Sequence, residues 1–286
     1  MTLPPLENFE ENIHKLHQAA KLFPPICNVL LEKQQNWLHI AMQPHLYGFS
    51  TQAFPQGGKL VLNTEESAVF YYRGSGGAVP FPLKLYTQKS LFEGILQAMS
   101  EDEFVGFFDD LAGDSLTEKL LGKIYAKKPE ALPDAIEEHS KTGKLILDTD
   151  AINAYMQALD MIYTGIARWR ARVNGHLSPA VVWGEHFDLS TLWFKDADMD
   201  EYKPHINIGF APFTEGVFER PYLYAYAYPY AENYTAPELT APLKWETEAY
   251  TGIYVAYDDL AATGATVYDV EKYVSQMFEA LKSVLA

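Results

Sequence analysis

"VVWGEHFDLSTLWF", running from Val181 to Phe194, sets Glu185, His186 and Asp188 inside an otherwise apolar run. Side chains alternate between the two faces of a strand. Read as one strand, Val181, Trp183, Glu185, Phe187, Leu189, Thr191 and Trp193 share a face, and Val182, Gly184, His186, Asp188, Ser190, Leu192 and Phe194 share the other. The first set reads as a core face with Glu185 as its misfit. The second brings His186, Asp188 and Ser190 together.

The strands that follow sort the same way. In "HINIGFA", His205 and Asn207 lie opposite Ile206, Ile208 and Phe210. In "PYLYAYAYPY", Tyr222, Tyr224, Tyr226, Tyr228 and Tyr230 lie opposite Leu223, Ala225 and Ala227. If these strands are neighbours, one sheet face offers His, Asp, Ser, Asn and a row of phenols. Aromatic walls with a few convergent polar groups are what small-molecule sites use. Tyrosine also has high strand propensity, and cross-strand aromatic pairs stabilise sheets without any ligand.

Around this region the pattern turns helical. Asp150 to Val173 carries an apolar stripe of Ile152, Tyr155, Leu159, Ile162, Ile166 and Trp169, and Asn174-Gly175 supplies a stop. Val267 to Val284 carries Val270, Tyr273, Val274, Met277, Phe278 and Leu281. Toward the N-terminus, Leu6 to Leu22 reads as a helix ended by "FPP", and Tyr86 to Met99 as another. Between them "NVLLEK", "WLHIAMQ", "GKLVLN" and "SAVFYY" read as strands. Ser100 with Glu103, before "FVGFFDDLA", and Ser115 with Glu118, before "KLLGKIY", have capping-box spacing. "RGSGGAVP" is glycine-rich but is followed by prolines rather than a helix, so it reads as a strand connection and not a phosphate cradle.

The expected fold class is α+β, mostly antiparallel sheet packed against long helices. Residues 1–286 read as one domain of two similar helix–strands–helix halves, 1–99 and 145–286, with a helical insertion at 100–144. "LYGFSTQAF" (Leu46 to Phe54) laid on "HFDLSTLWF" (His186 to Phe194) matches Ser50-Thr51 with Ser190-Thr191 and Phe54 with Phe194.

Composition excludes several classes. The net charge is −16, from 38 acidic and 22 basic residues, and there is no basic stripe, which disfavours nucleic acid and anionic membrane surfaces. Cys27 is the single cysteine, so no intramolecular disulfide can form, and its setting in "FPPICNVLL" reads as buried and inert. No apolar run approaches the roughly 18 residues of a membrane span, and the acidic start is no signal peptide. A cytoplasmic protein is expected.

Chemically, Asp188 two residues beyond His186 could orient that imidazole as a general base. Glu185, beside Trp183 and Phe187, reads as a buried carboxylate in need of a partner. H-E-x-x-H, cysteine-based zinc spacing, EF-hand loops and G-x-S-x-G do not occur, so no metal site and no cofactor is named.

"WGEHFDLS" followed by "INIGFAPFTEGVFERPYLYAY" resembles a bacterial family of unknown function that bears W-x-E-H-F-D, then N-x-G-x-[SA]-P and P-Y-x-Y. "LHQAA" and "LYGFSTQAF" resemble that family's L-H-x-x-A helix and G-F-x-T segment. The resemblance marks Trp183, Glu185, His186, Phe187 and Asp188, then Asn207, Gly209, Ala211 and Pro212, then Pro221, Tyr222 and Tyr224. Gly184 stands in place of a proline, and "APFTEG" replaces a turn richer in Ser, Gly and Asp. It implies no reaction.

Three readings follow. The first is a small-molecule enzyme of hydrolytic chemistry, with His186 as base, Asp188 orienting it, and Glu185 or His205 in support. The second is a non-catalytic module that uses the Tyr222–Tyr230 aromatic face for a small polar ligand, sugar-like or aromatic, with Trp183, Ser190, His205, Asn207, Tyr222, Tyr224 and Tyr226 as the binding residues. The third is an interaction surface on the same aromatic residues, suited to a symmetric homodimer.

Overall fold

The computed structural model describes residues 1–102, 115–231 and 233–286. The helix expected over "FVGFFDDLA", with its Ser100–Glu103 cap, falls outside the described residues. The chain is an α+β protein built on antiparallel sheets, and it forms two compact units, Glu11–Asn153 and Met1–Glu10 with Ala154–Ala286.

In the chain's first half, helices α1 (Phe9–Ala20) and α2 (Phe23–Leu30) precede strands β1 (Gln43–His45), β2 (Gly48–Ser50), β3 (Gly58–Asn63), β4 (Ala68–Arg73) and β5 (Ala78–Pro82). The five strands make an antiparallel meander in chain order. Helices α3 (Gln88–Ser100), α4 (Leu116–Ile124) and α5 (Leu132–Glu138) follow.

Two expected strands take other forms. "NVLLEK" begins inside a helix, Phe23–Leu30, because Pro24 and Pro25 sit in that helix's first turn, where their missing N–H groups go unused. "NWLHI" is a 3-10 segment with Asn36 and Trp37 in left-handed conformation (φ 54° and 57°). The expected Ser115–Glu118 capping box is not made. Ser115 is left-handed, and the Glu93 carboxylate of α3 accepts instead from the backbone N–H groups of Leu116 (3.0 Å) and Thr117 (3.2 Å). Cys27 is buried, which pushes its thiol up to about 12.

Helix α6 (Thr149–Arg170) leads into the other unit, and every residue of its expected stripe is buried. The sheet of that unit holds β6 (His176–Leu177), β7 (Val181–Val182), β8 (Leu189–Phe194), β9 (His205–Ala211), β10 (Tyr222–Tyr228), β11 (Lys244–Glu246) and β12 (Gly252–Ala256). Its order is β11-β12-β10-β9-β8-β6, with β7 also paired to β8. Helices α7 (Tyr257–Ala262) and α8 (Val267–Lys282) close the chain, and α8 packs on β9 and β10. One face of the sheet, with Ile206, Ile208, Phe210, Leu223 and Val255 at full burial, is the main core. There Trp193 and Trp169 each meet the Phe278 ring edge-on at 5.2 Å. Glu271, buried on α8, pairs with Arg168 (2.6 Å) and Arg172 (2.8 Å), which compensates its desolvation.

Candidate functional site

The stretch from Val181 to Phe194 is not one strand. It is a hairpin: β7 pairs with β8 in the register Val181↔Ser190 and Val182↔Leu189, and Trp183 to Asp188 form its connection. The Trp183 N–H donates to the Asp188 carbonyl (2.9 Å), and the Phe187 N–H donates to the Trp183 carbonyl (2.6 Å). Phe187 takes φ 59°, the left-handed region that non-glycine residues seldom occupy. That reversal sends the Phe187 ring into the core, stacked on Tyr155 of α6 at 6.3 Å, and delivers Asp188 to the opposite face.

The face assignments change accordingly. Trp183 lies across from Asp188 rather than on the core side, and its indole N–H donates to the Ser190 hydroxyl (2.8 Å). Glu185 and His186 sit on the turn and are exposed. Glu185 is therefore not the buried carboxylate that alternation implies. Among the described residues no hydrogen bond joins the His186 ring to Asp188, although its positive charge still favours the Asp188 carboxylate. The alternation expected for Asp188, Ser190, Leu192 and Phe194 is consistent with the β8–β9 register.

Asp188 is buried, and its Oδ2 accepts from the Tyr224 hydroxyl at 2.5 Å. Its Oδ1, also buried, has no hydrogen-bond partner. Gly209 makes the Tyr224 contact geometrically accessible. It stands between Ser190 and Tyr224 in the register, and a Cβ there would lie 2.6 Å from the Tyr224 phenol oxygen and 2.6 Å from the Leu189 carbonyl. The phenol thus crosses β9 where there is no side chain to block it. Burial raises the Asp188 pKa above the usual aspartate value, against the opposing pull of the Tyr224 hydroxyl and the His186 charge. Burial likewise raises Tyr224 well above the ordinary phenol value, with the Asp188 charge adding to it.

Further along the same face, Asn207 Nδ2 donates to the Tyr226 hydroxyl (3.0 Å), leaving buried Asn207 Oδ1 without a partner. The Tyr224 and Tyr226 rings lie nearly parallel (7°) with centroids 6.3 Å apart. Tyr222 exchanges a 2.7 Å hydrogen bond with Thr214, and Phe218 stacks on its ring at 4.2 Å. Thr214 and Phe218 belong to the "APFTEG" connection, closed by reciprocal Thr214–Phe218 backbone hydrogen bonds of 2.8 Å. That connection lays Phe218 over Tyr222 and Tyr254.

His205 pairs in register with Tyr228 and Phe194 at the far end of β9. It is buried, which lowers its pKa, and its Nδ1 bonds to the Lys203 carbonyl (2.9 Å). Four residues of strand, roughly 13 Å, separate it from Gly209. The face therefore gathers Trp183, Asp188, Ser190, Asn207, Tyr222, Tyr224 and Tyr226, sets His205 at its end, and leaves Glu185 and His186 on the turn. Sequence reasoning missed Phe218 and Thr214. Among the described residues, no three or more His, Cys, Asp or Glu side chains gather closely enough to hold a metal ion, and no helix is long and apolar enough to cross a membrane.

These features define an α+β protein whose second sheet carries a buried carboxyl among tyrosines on the side away from its main core. The chain belongs to a family of unknown function, DUF5996, whose family model matches residues 3–284. No curated protein and no solved structure matches it.

Proposed function

We propose that the protein binds a small polar ligand at Asp188, on the tyrosine-bearing face of the second sheet. The observation that carries this reading is Asp188 itself: a buried carboxyl with one oxygen held by Tyr224 and the other without a donor. Buried polar groups are nearly always hydrogen-bonded, and leaving one unpaired costs about 1–3 kcal/mol. A ligand group that donates to Oδ1 removes that deficit, and the flanking rings of Trp183, Tyr224 and Tyr226 supply apolar wall. Trp183 and Tyr226 are only half-buried, so they mark the side from which a ligand approaches. A small-molecule partner also fits the acidic, single-cysteine chain and its expected cytoplasmic setting.

The test is a crystal soaked with a set of small alcohols, amides, amines and acids. Density within hydrogen-bond reach of Asp188 Oδ1 is the expected result. Fragments that gather elsewhere and leave this face bare across the set would contradict the reading.

A second reading is favoured by the 2.5 Å phenol–carboxyl bond. Such a pair can hold or pass a proton, and an enzyme of this family would then use Asp188 and Tyr224 as its proton-handling groups, with His186 acting on Asp188 through its charge rather than as the base.

A further inference from the structure

We infer that the ligand presents a protonated amine to Asp188; this rests on the reading of that face as a ligand site. Three observations converge. The Asp188 carboxyl has no ion-pair partner among the described residues, and the titratable groups that interact with it electrostatically are Tyr222, Tyr224 and Tyr226 of β10, Tyr155 of α6 on the core side, and His186 of the turn. None of the four phenols brings a positive charge, and the exposed His186 makes no hydrogen bond to the carboxyl.

Second, three buried polar atoms among these tyrosines lack partners: the Tyr250 hydroxyl, which can donate or accept, and Asp188 Oδ1 and Asn207 Oδ1, which only accept. A ligand must bring donors to the last two, and an ammonium brings three with no acceptor of its own. Third, no lysine or arginine charge acts on the carboxyl, so a cationic ligand group meets no like charge there beyond that of the exposed His186. Asp188 lies level with Ala211, about 13 Å of strand from Asn207, so the amine end sits at Asp188 and a hydroxyl or amide donor further along the ligand reaches Asn207.

Burial raises the Asp188 pKa, and an ammonium beside the carboxyl pulls it back down, so binding favours the ionised carboxylate that accepts from it.

The experiment compares propylamine with 1-propanol, two probes of nearly equal size, by calorimetric titration of the full chain. The amine is expected to bind the wild type about tenfold or more tightly than the alcohol, the scale of a charge-assisted hydrogen bond. Asp188→Asn is expected to abolish the preference. In the wild type, amine affinity should weaken as pH falls through the Asp188 titration while alcohol affinity stays level, a readout that needs no variant. An alcohol that binds as well as the amine overturns the amine inference and leaves the ligand site standing. A preference that survives Asp188→Asn, or no amine binding at all, also overturns it. The soaked crystals decide separately whether the site itself exists.

Discussion

Each unit contains a buried aspartate bonded to a strand tyrosine, and the two pairs are finished differently. In the first unit, Asp102 Oδ2 accepts from the Tyr71 hydroxyl of β4 (2.8 Å) and Oδ1 accepts from Ser75 (3.0 Å). Both oxygens are occupied, and the Arg73 charge acts on the same phenol. In the second unit, Asp188 has Tyr224 on one oxygen and nothing on the other. A completed polar cluster fixes a fold, while an incomplete one in a buried place spends stability on something else. The contrast separates a structural carboxyl from a candidate functional one without any appeal to sequence similarity.

Four substitutions probe that contrast. The largest effect is expected from Gly209→Ala. Its Cβ meets the Leu189 carbonyl and the Tyr224 ring, each at 2.6 Å, so the Tyr224–Asp188 bond must break or the strands must part. Urea unfolding should show a loss of about 3 kcal/mol. Asp102→Asn should cost about 2 kcal/mol in the same assay, because one of two bonded oxygens becomes an amide facing a hydroxyl that had been donating to it.

Asp188→Asn should move the other way, gaining about 1 kcal/mol at pH 7 by removing a desolvated charge. The sign follows from linkage. The folded protein holds the Asp188 proton more tightly than the unfolded chain, so folding weakens as pH rises from the unfolded aspartate value, near 3.9, to the raised folded value, and stays weakened above it. The variant's advantage should therefore be absent below pH 3.9 and full above the folded pKa. A loss of stability at pH 7 would make Asp188 as structural as Asp102. The smallest effect belongs to His186→Ala, which should alter stability by less than about 0.5 kcal/mol, as an exposed turn residue does. It should also shift the Asp188 titration upward, since a favourable positive charge is lost.

Much of this arrangement is legible in the sequence. The alternation of "YLYAYAY" predicts the faces of β10, and the stripes of α6 and α8 predict which helix residues are buried, with Tyr273 only half-buried. Period is a good guide wherever one regular element runs uninterrupted. It fails at "WGEHFD", where Gly184 is the single turn residue and the chain reverses by forcing Phe187, an aromatic, into a left-handed conformation. The ring's burial against Tyr155 compensates that choice, and tertiary packing of this kind leaves no local mark. It fails again at "FPPICNVL", where proline opens a helix instead of ending one. Gly209 interrupts a strand of bulky residues, and an isolated glycine inside a strand often marks a close approach.

The most direct measurement is the carboxyl carbon titration of Asp188 by NMR, assigned with Asp188→Asn. The incomplete, buried pair predicts a midpoint above the ordinary aspartate value. A midpoint at or below that value would mean that Asp188 is already as well satisfied as Asp102, and the distinction between the two pairs would collapse.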